Sequence, residues 1–173
     1  EGQVTLSDLG RFHPLIKQKI EELKIHGQGT AALSYNGKAN DPMSARYSVT
    51  YKSADSSIYN LLLQNFTLKT TQSAPYENTF DVIGDFYNGK LSANGTIAFK
   101  NDYPLKLQAA LTTVDVGGIT NSLALKRQFG GSCTASVFLE GPVKRTSGNT
   151  GQGSIKIENG YFEKSNFLKG ILA

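Results

Sequence analysis

Tryptophan is absent from this chain of 173 residues, and cysteine and methionine occur once each. Because Cys133 is the only cysteine, no internal disulfide can form, and its place in an alternating apolar run predicts a small core residue. The only two histidines, His13 and His26, lack the spacing of a zinc pair, so we expect neither a metal nor a cofactor. No apolar run approaches the roughly 20 residues that a membrane-spanning helix needs.

Charge of either sign is sparse and scattered. The net charge is only +4, and no basic stripe of the kind that binds nucleic acid is present, so we expect no nucleic-acid partner.

The sequence motifs of common catalytic sites are absent: the chain has neither a phosphate-binding loop nor a serine nucleophile elbow. Asp81 and Asp85 would suit a pair of glycosidase carboxylates, but nothing around them supports that role, and solvated strand positions are the better interpretation. We therefore predict that the protein is not an enzyme.

Glycine, tyrosine and phenylalanine are plentiful, with 18, 8 and 9 residues, and with the many serines and threonines they favour strands and turns. Apolar and polar residues alternate over residues 45–52, 91–100 and 105–112. This alternation predicts strands with one apolar and one solvated face, as in an antiparallel sheet. Tight turns are predicted at three Asn-Gly pairs, at residues 36–37, 88–89 and 159–160.

One amphipathic helix is predicted near the N-terminus. Its apolar side chains recur at helical spacing, and Gly27 follows its end. These side chains are Phe12, Leu15, Ile16, Ile20 and Leu23. We expect this apolar face to pack over an end of the sheet rather than to lie on a lipid surface.

A phrase bounded by glycines recurs along the chain. Residues 27–37 (GQGTAALSYNG) and 131–141 (GSCTASVFLEG) match in their placement of small and apolar residues, and residues 151–160 (GQGSIKIENG) are a partial echo. The internal repeat extends upstream, so that residues 4–37 correspond to residues 111–141 through a strand, an Asp-containing corner and a helical connector. Repetition of this kind predicts a β architecture built from a recurring unit.

Together these patterns predict a mainly β fold. We expect an antiparallel, twisted sheet curled into a groove or open sandwich, with one amphipathic helix near the N-terminus and short helical connectors. Residues 1–173 are expected to form a single β-rich domain. Because the chain has neither an initiator methionine nor a signal peptide, we expect it to be a fragment of a larger repetitive protein. Alternation fixes which face is apolar and leaves open whether a groove or a closed sandwich covers it.

The glycine-bounded strands resemble those of the AsmA-like family of bacterial envelope proteins. In that pattern an apolar strand ends at an Asp corner, as at residues 7–9 (SDL) and 114–116 (VDV), and a short helix and a Gly-x-Gly strand follow. Residues 151–162 resemble the C-terminal module of the family, and residues 86–99 resemble its preceding hairpin. The resemblance covers nearly the whole chain.

The resemblance implies a segment of a bridge-like lipid transfer protein in the periplasm, whose parent is anchored in the inner membrane. An apolar β-groove would bind or conduct phospholipid acyl chains between membranes and, with other envelope proteins, support outer-membrane biogenesis. Ten residues are then expected to face the groove: Leu33, Tyr35, Val49, Ile97, Phe99, Leu107, Val137, Leu139, Ile155 and Ile157. The alternative is a secreted β-sandwich module for binding or adhesion, which recognises glycan or protein and buries the same residues in an ordinary core.

Overall fold

The computed structural model describes residues 2–5, 8, 11, 14–37, 46–99, 102–125, 128–144 and 148–163. In chain order the elements are β1 (Gly2–Thr5), α1 (Pro14–Glu22), β2 (His26–Asn36), β3 (Arg46–Ile58), β4 (Leu61–Ala74), β5 (Glu77–Phe86), β6 (Gly89–Ala98), β7 (Pro104–Asp115), α2 (Val116–Ser122), β8 (Gln128–Pro142) and β9 (Thr150–Glu163).

The nine strands form one sheet whose strand order is the chain order, from β1 at one edge to β9 at the other. Every neighbouring pair is antiparallel. The prediction of a mainly β, antiparallel fold is therefore confirmed. The predicted groove or open sandwich is not confirmed, because the described strands make a single uncurled sheet.

Two tight hairpins connect central strands through residues with left-handed backbone. Tyr59 and Asn60, with φ of 51° and 67°, join β3 to β4, and Tyr87 and Asn88, with φ of 44° and 62°, join β5 to β6. Paired positive φ values are those of a type I′ turn, whose twist matches that of the flanking strands. The turn predicted at residues 88–89 therefore lies one residue earlier in the chain.

The turn predicted at residues 159–160 is wrong. β9 continues through both residues, and a register shift opposite Gly130 and Ser132 marks a β-bulge there. Asn159 adopts a φ of 53°. The tolerance of asparagine for the left-handed region thus serves a bulge in this strand instead of a chain reversal.

The N-terminal helix α1 begins at Pro14, in the first turn, where proline costs no backbone hydrogen bond. The amphipathic character predicted for this segment is not confirmed, because Phe12 and the side chains of Leu15 and Ile16 lie outside the described residues. Beyond the helix, Ile25 packs against the core of the sheet.

The short helix α2 connects β7 to β8. The backbone N–H of Gly117 donates to Asp115 Oδ1 over 2.9 Å, so that Asp115 caps the helix N-terminus. The buried Thr120 hydroxyl lies 3.1 Å from the carbonyl oxygen of Phe129, where it can donate a hydrogen bond that holds the helix against β8.

The core lies on one face of the sheet. Tyr51, Leu63 and Phe66 form a buried cluster on β3 and β4. Val114 and Cys133 are also buried, on the paired strands β7 and β8. The sequence-based expectation that Cys133 is a small core residue is therefore confirmed.

Candidate functional site

An unbroken row of nonpolar residues crosses all nine strands. Each member is directly paired with the next, and directly paired residues project from the same face of a sheet. The row is Gly2, Ala31, Tyr51, Leu68, Val82, Ala93, Ala109, Val137 and Gly153. We call this side of the sheet the apolar face.

A second row on the apolar face crosses eight strands. It consists of Leu33, Val49, Thr70, Phe80, Gly95, Leu107, Leu139 and Gly151. Its one polar member is Thr70, whose hydroxyl donates to the carbonyl oxygen of Thr79 over 3.1 Å and is therefore satisfied within the sheet. A Cβ at Gly95 would lie 2.8 Å from Cζ of Phe80, so the phenylalanine ring rests on the bare backbone of the glycine.

The other side of the sheet, which we call the polar face, has the opposite chemistry. One of its rows is Ser34, Ser48, Thr71, Thr79, Thr96, Lys106, Glu140 and Thr150. Cross-strand pairs on this face are polar: Lys106 and Glu140 form an ion pair at 3.0 Å, and the Ser136 and Ser154 hydroxyls are 2.9 Å apart. The sheet is thus strongly amphipathic from one edge to the other.

Nine of the ten residues predicted to face a groove lie on strands and on the apolar face. Leu33, Val49, Leu107, Leu139 and Val137 belong to the two rows, whereas Tyr35, Ile97, Ile155 and Ile157 lie opposite Tyr47, Leu105, Ala135 and Cys133 respectively. Phe99 is the exception. It follows the end of β6, and its ring meets that of Tyr103 edge to face at 6.3 Å between centroids.

Solvent exposure varies across the apolar face, from a buried part around Tyr51 to exposed parts near both edges of the sheet. Tyr51 is fully buried, whereas the exposed fraction reaches 59% for Leu33 near one edge. Near the other edge it is 71% for Ile155 and 52% for Ile157, and Val137 and Leu139 are also exposed. Large apolar side chains that share one continuous face and remain in water indicate a binding surface.

Sequence reasoning missed the contribution of β4 and β5 to this face. Leu68, Phe80 and Val82 lie in its rows, yet the pattern of these strands suggests apolar character on both sides. The reason is a β-bulge at Asn65, where φ is 48° and the register with β5 shifts. Ile83, on the polar face and 58% exposed, adds to the ambiguity.

The two carboxylates considered for catalysis lie on β5 in different surroundings. Asp81 is exposed and lies opposite Asn94. The ammonium group of Lys90 and the Asn65 amide, which donates over 2.6 Å, hold the pKa of Asp85 below its ordinary value. An ion-paired carboxylate of this kind is a poor proton donor. Among the described residues, no group of three or more His, Cys, Asp or Glu side chains could hold a metal ion.

One concavity of the sheet does not involve the exposed residues of the apolar face. It has a volume of about 660 Å³ and opens between β1 and β4, where Gln3, Gln28, Lys52 and Asn65 contribute to its lining. None of the ten predicted residues lines it. The candidate site is therefore an extended surface and not this pocket.

Comparison of the chain with protein-family models, with curated proteins and with solved structures finds no match. In the part of the chain that the structure describes, neither helix is long and apolar enough to cross a membrane. The resemblance to AsmA-like proteins accordingly stays a prediction.

Proposed function

We propose that the apolar face binds lipid acyl chains, and that the chain is a segment of a bacterial envelope protein that conducts phospholipid between membranes. The observation that carries this proposal is the nonpolar row that crosses all nine strands, together with the exposed side chains of Leu33, Ile155 and Ile157 near its two ends. With about 4.8 Å between neighbouring strands, the row is about 38 Å long. An acyl chain spans about half of the 30 Å hydrocarbon core of a bilayer, so the row offers ample length for one.

The chemistry of the rows favours an acyl chain over a polar ligand. Their side chains offer a ligand no accessible hydrogen-bonding group, because the Thr70 hydroxyl is already bonded to the backbone and the Tyr51 hydroxyl is fully buried. A polar ligand would leave its own donors and acceptors unsatisfied there, which costs free energy. Each methylene group buried against such a surface contributes about 0.8 kcal/mol.

The proposal extends to a groove in which the sheet curls around the lipid. Gly95, Gly151 and Gly153 lie in the rows, and glycine within strands permits the bends that curved sheets need. Curling would bring the exposed Leu33 and Ile155 flanks toward one another over a bound chain. A periplasmic location, a parent anchored in the inner membrane, and envelope-protein partners in outer-membrane biogenesis belong to the same proposal.

Two adjacent residues provide a sharp test. Leu139 and Phe138 have nearly equal exposed fractions, 40% and 36%, yet they project from opposite faces of β8. We expect Leu139→Asp to weaken binding of a fluorescent fatty acid roughly tenfold or more, because a carboxylate replaces a leucine that the chain would cover. Phe138→Asp is the matched control and should bind as the unmodified protein does.

Mass spectrometry of lipid that co-purifies with the protein provides a second readout. Phospholipid should accompany the unmodified protein and the Phe138 variant, and the Leu139 variant should lose it. Equal loss in both variants, or no bound phospholipid in any of the three, would overturn the proposal.

One observation favours the second candidate, a module that binds glycan. Phe138 is flanked across the strands by Gln108 and Gln152, and a cavity of about 320 Å³ lies over these residues with Ser136 and Ser154. An aromatic ring beside amides and hydroxyls suits a sugar ring, which has both an apolar face and hydroxyl groups. The same two variants distinguish the candidates, since glycan binding would be lost in Phe138→Asp and kept in Leu139→Asp.

A further inference from the structure

The strand β9 forms a long open edge of the sheet. It is paired with β8 on one side, and no described strand pairs with its other side. Residues 150–161 are all exposed. Such an edge presents a row of unpaired backbone N–H and C=O groups, which makes it a template for another strand.

The pairing between β8 and β9 follows a rule of size on the apolar face. Between Cys133 and Leu139, where the register is regular, every large side chain lies opposite a small residue. The pairs are Leu139 with Gly151, Val137 with Gly153, Ala135 with Ile155, and Cys133 with Ile157. β9 therefore presents two glycines followed by two isoleucines, and its next neighbour must offer the complementary order.

We propose that β9 pairs with β9 of a second copy of this chain, antiparallel and about a two-fold axis at Ser154. The regular part of β9 runs from Thr150 to Glu158, before the bulge at Asn159, and Ser154 is its midpoint. The two-fold operation reverses the strand, so it places the isoleucines of one copy opposite the glycines of the other.

In this register the apolar face repeats the size rule seen between β8 and β9. Gly153 lies opposite Ile155 of the second copy, and Gly151 lies opposite Ile157. On the polar face, Gln152 lies opposite Lys156 and Thr150 lies opposite Glu158. No like charges meet, which favours the register because directly opposed like charges destabilise a sheet.

Neighbouring registers lack this complementarity. An axis at Lys156 sets the two lysines against each other, and an axis at Ile155 sets two isoleucines against each other. The two-fold interface uses the same strand on both copies, so it closes on itself as a dimer and does not propagate into a filament. The inference does not depend on lipid binding.

Cysteine cross-linking tests the axis directly. Residues that face each other across antiparallel strands have Cβ atoms about 4.5–5.5 Å apart, close to the roughly 3.5–4.5 Å of a disulfide. We expect Ser154→Cys to form a covalent dimer on mild oxidation. The matched control is Ser136→Cys, which breaks the same Ser136–Ser154 hydrogen bond but places its thiols three strand spacings, about 14 Å, apart across the dimer. Cys133 is buried and is present in both variants.

Sedimentation of the lipid-free protein provides the second measurement. We expect a concentration-dependent dimer that Ile155→Asp weakens at least tenfold, with Ile83→Asp as a control at an exposed isoleucine of an interior strand. A monomer at every concentration would overturn the proposal, as would equal cross-linking of the two cysteine variants. Because no lipid is present, failure here is distinct from failure of acyl-chain binding.

Discussion

The side chain of Leu63 packs directly onto the backbone of Gly84, where an added Cβ would lie 2.9 Å from Leu63 Cδ1. Leu63 is only 2% exposed and belongs to the central cluster with Tyr51 and Phe66, so it has no free space into which to withdraw. We expect Gly84→Ala to lower the free energy of unfolding by about 1–3 kcal/mol through overpacking. Urea denaturation measures the change.

The control for this substitution is Gly2→Ala, because nothing lies within 4 Å of a Cβ at that position. Its effect should stay within about 0.5 kcal/mol. Adding Leu63→Ala to the Gly84 variant should cost less than the two single changes combined, since the contact between them is then gone. Strict additivity would show that the two residues are not coupled in this way.

Alternation could be predicted from the sequence over β6, over β7 as far as Leu111 and over β8 from Ser132 onward, because no bulge interrupts these stretches. Spacing places Ile97, Leu107 and Val137 on the apolar side of their own strands, and direct pairing across the ladder brings those sides to one face of the sheet. A period of two needs no knowledge of neighbouring strands, provided that no residue is inserted. The same period accounts for the position of nine of the ten residues on one side of the sheet.

The positions of the β-bulges could not be predicted in this way. Leu63 and Phe66 are three residues apart and both buried, because the bulge at Asn65 resets the alternation between them. Asn159 carries the chemistry of a turn but occupies a bulge within β9. In both cases pairing with the neighbouring strand determines the conformation, and the local sequence does not show which strand that is or in what register it pairs.

The cap of α2 depends on a single carboxylate. Asp115 Oδ1 accepts from the backbone N–H of Gly117 over 2.9 Å, at the corner where β7 gives way to the helix. We expect Asp115→Ala to reduce the free energy of unfolding by about 0.5–2 kcal/mol, because the N–H loses its acceptor. Asp115→Asn retains an acceptor oxygen and should recover most of that loss in the same urea titration. Equal stability of the two variants would contradict a capping role.

The hydroxyl of Tyr51 is buried and makes no hydrogen bond of good geometry among the residues that the structure describes, although the hydroxyls of Ser53 and Ser56 lie close to it. We expect Tyr51→Phe to leave stability unchanged or to raise it by up to about 1 kcal/mol, since an unsatisfied buried polar group is removed. Burial also raises the pKa of Tyr51 above its ordinary value of 10.0. The unfolded chain then releases this proton first, so folding stability falls as the pH rises through and above that value.

The Tyr51→Phe variant has no phenol at this position to ionise, so it lacks this loss of stability at alkaline pH. Thermal unfolding between pH 8 and pH 11 should therefore show a shallower alkaline decline for the variant than for the unmodified protein. A loss of stability at neutral pH would mean that the hydroxyl has a partner and would contradict the prediction.

We expect the ionised Asp85 carboxylate to make the free energy of unfolding fall as the solution is acidified. The Lys90 ammonium group, followed by the Asn65 amide at 2.6 Å, lowers the pKa of this carboxyl below the ordinary value of 3.8. A depressed pKa in the folded state means that the contribution of Asp85 to stability is complete above the ordinary pKa and is lost as the pH falls through the folded pKa.

The Lys90→Gln substitution removes the larger cause of this shift. It should move the pKa of Asp85 upward in a carboxyl NMR titration and flatten the decline in stability below about pH 4. The remaining decline should persist, because the pKa values of Asp8 and Glu22 are also lowered, by hydrogen bonds from Thr5 and Lys19 respectively. An unchanged titration of Asp85 in this variant would show that the ion pair does not set its protonation.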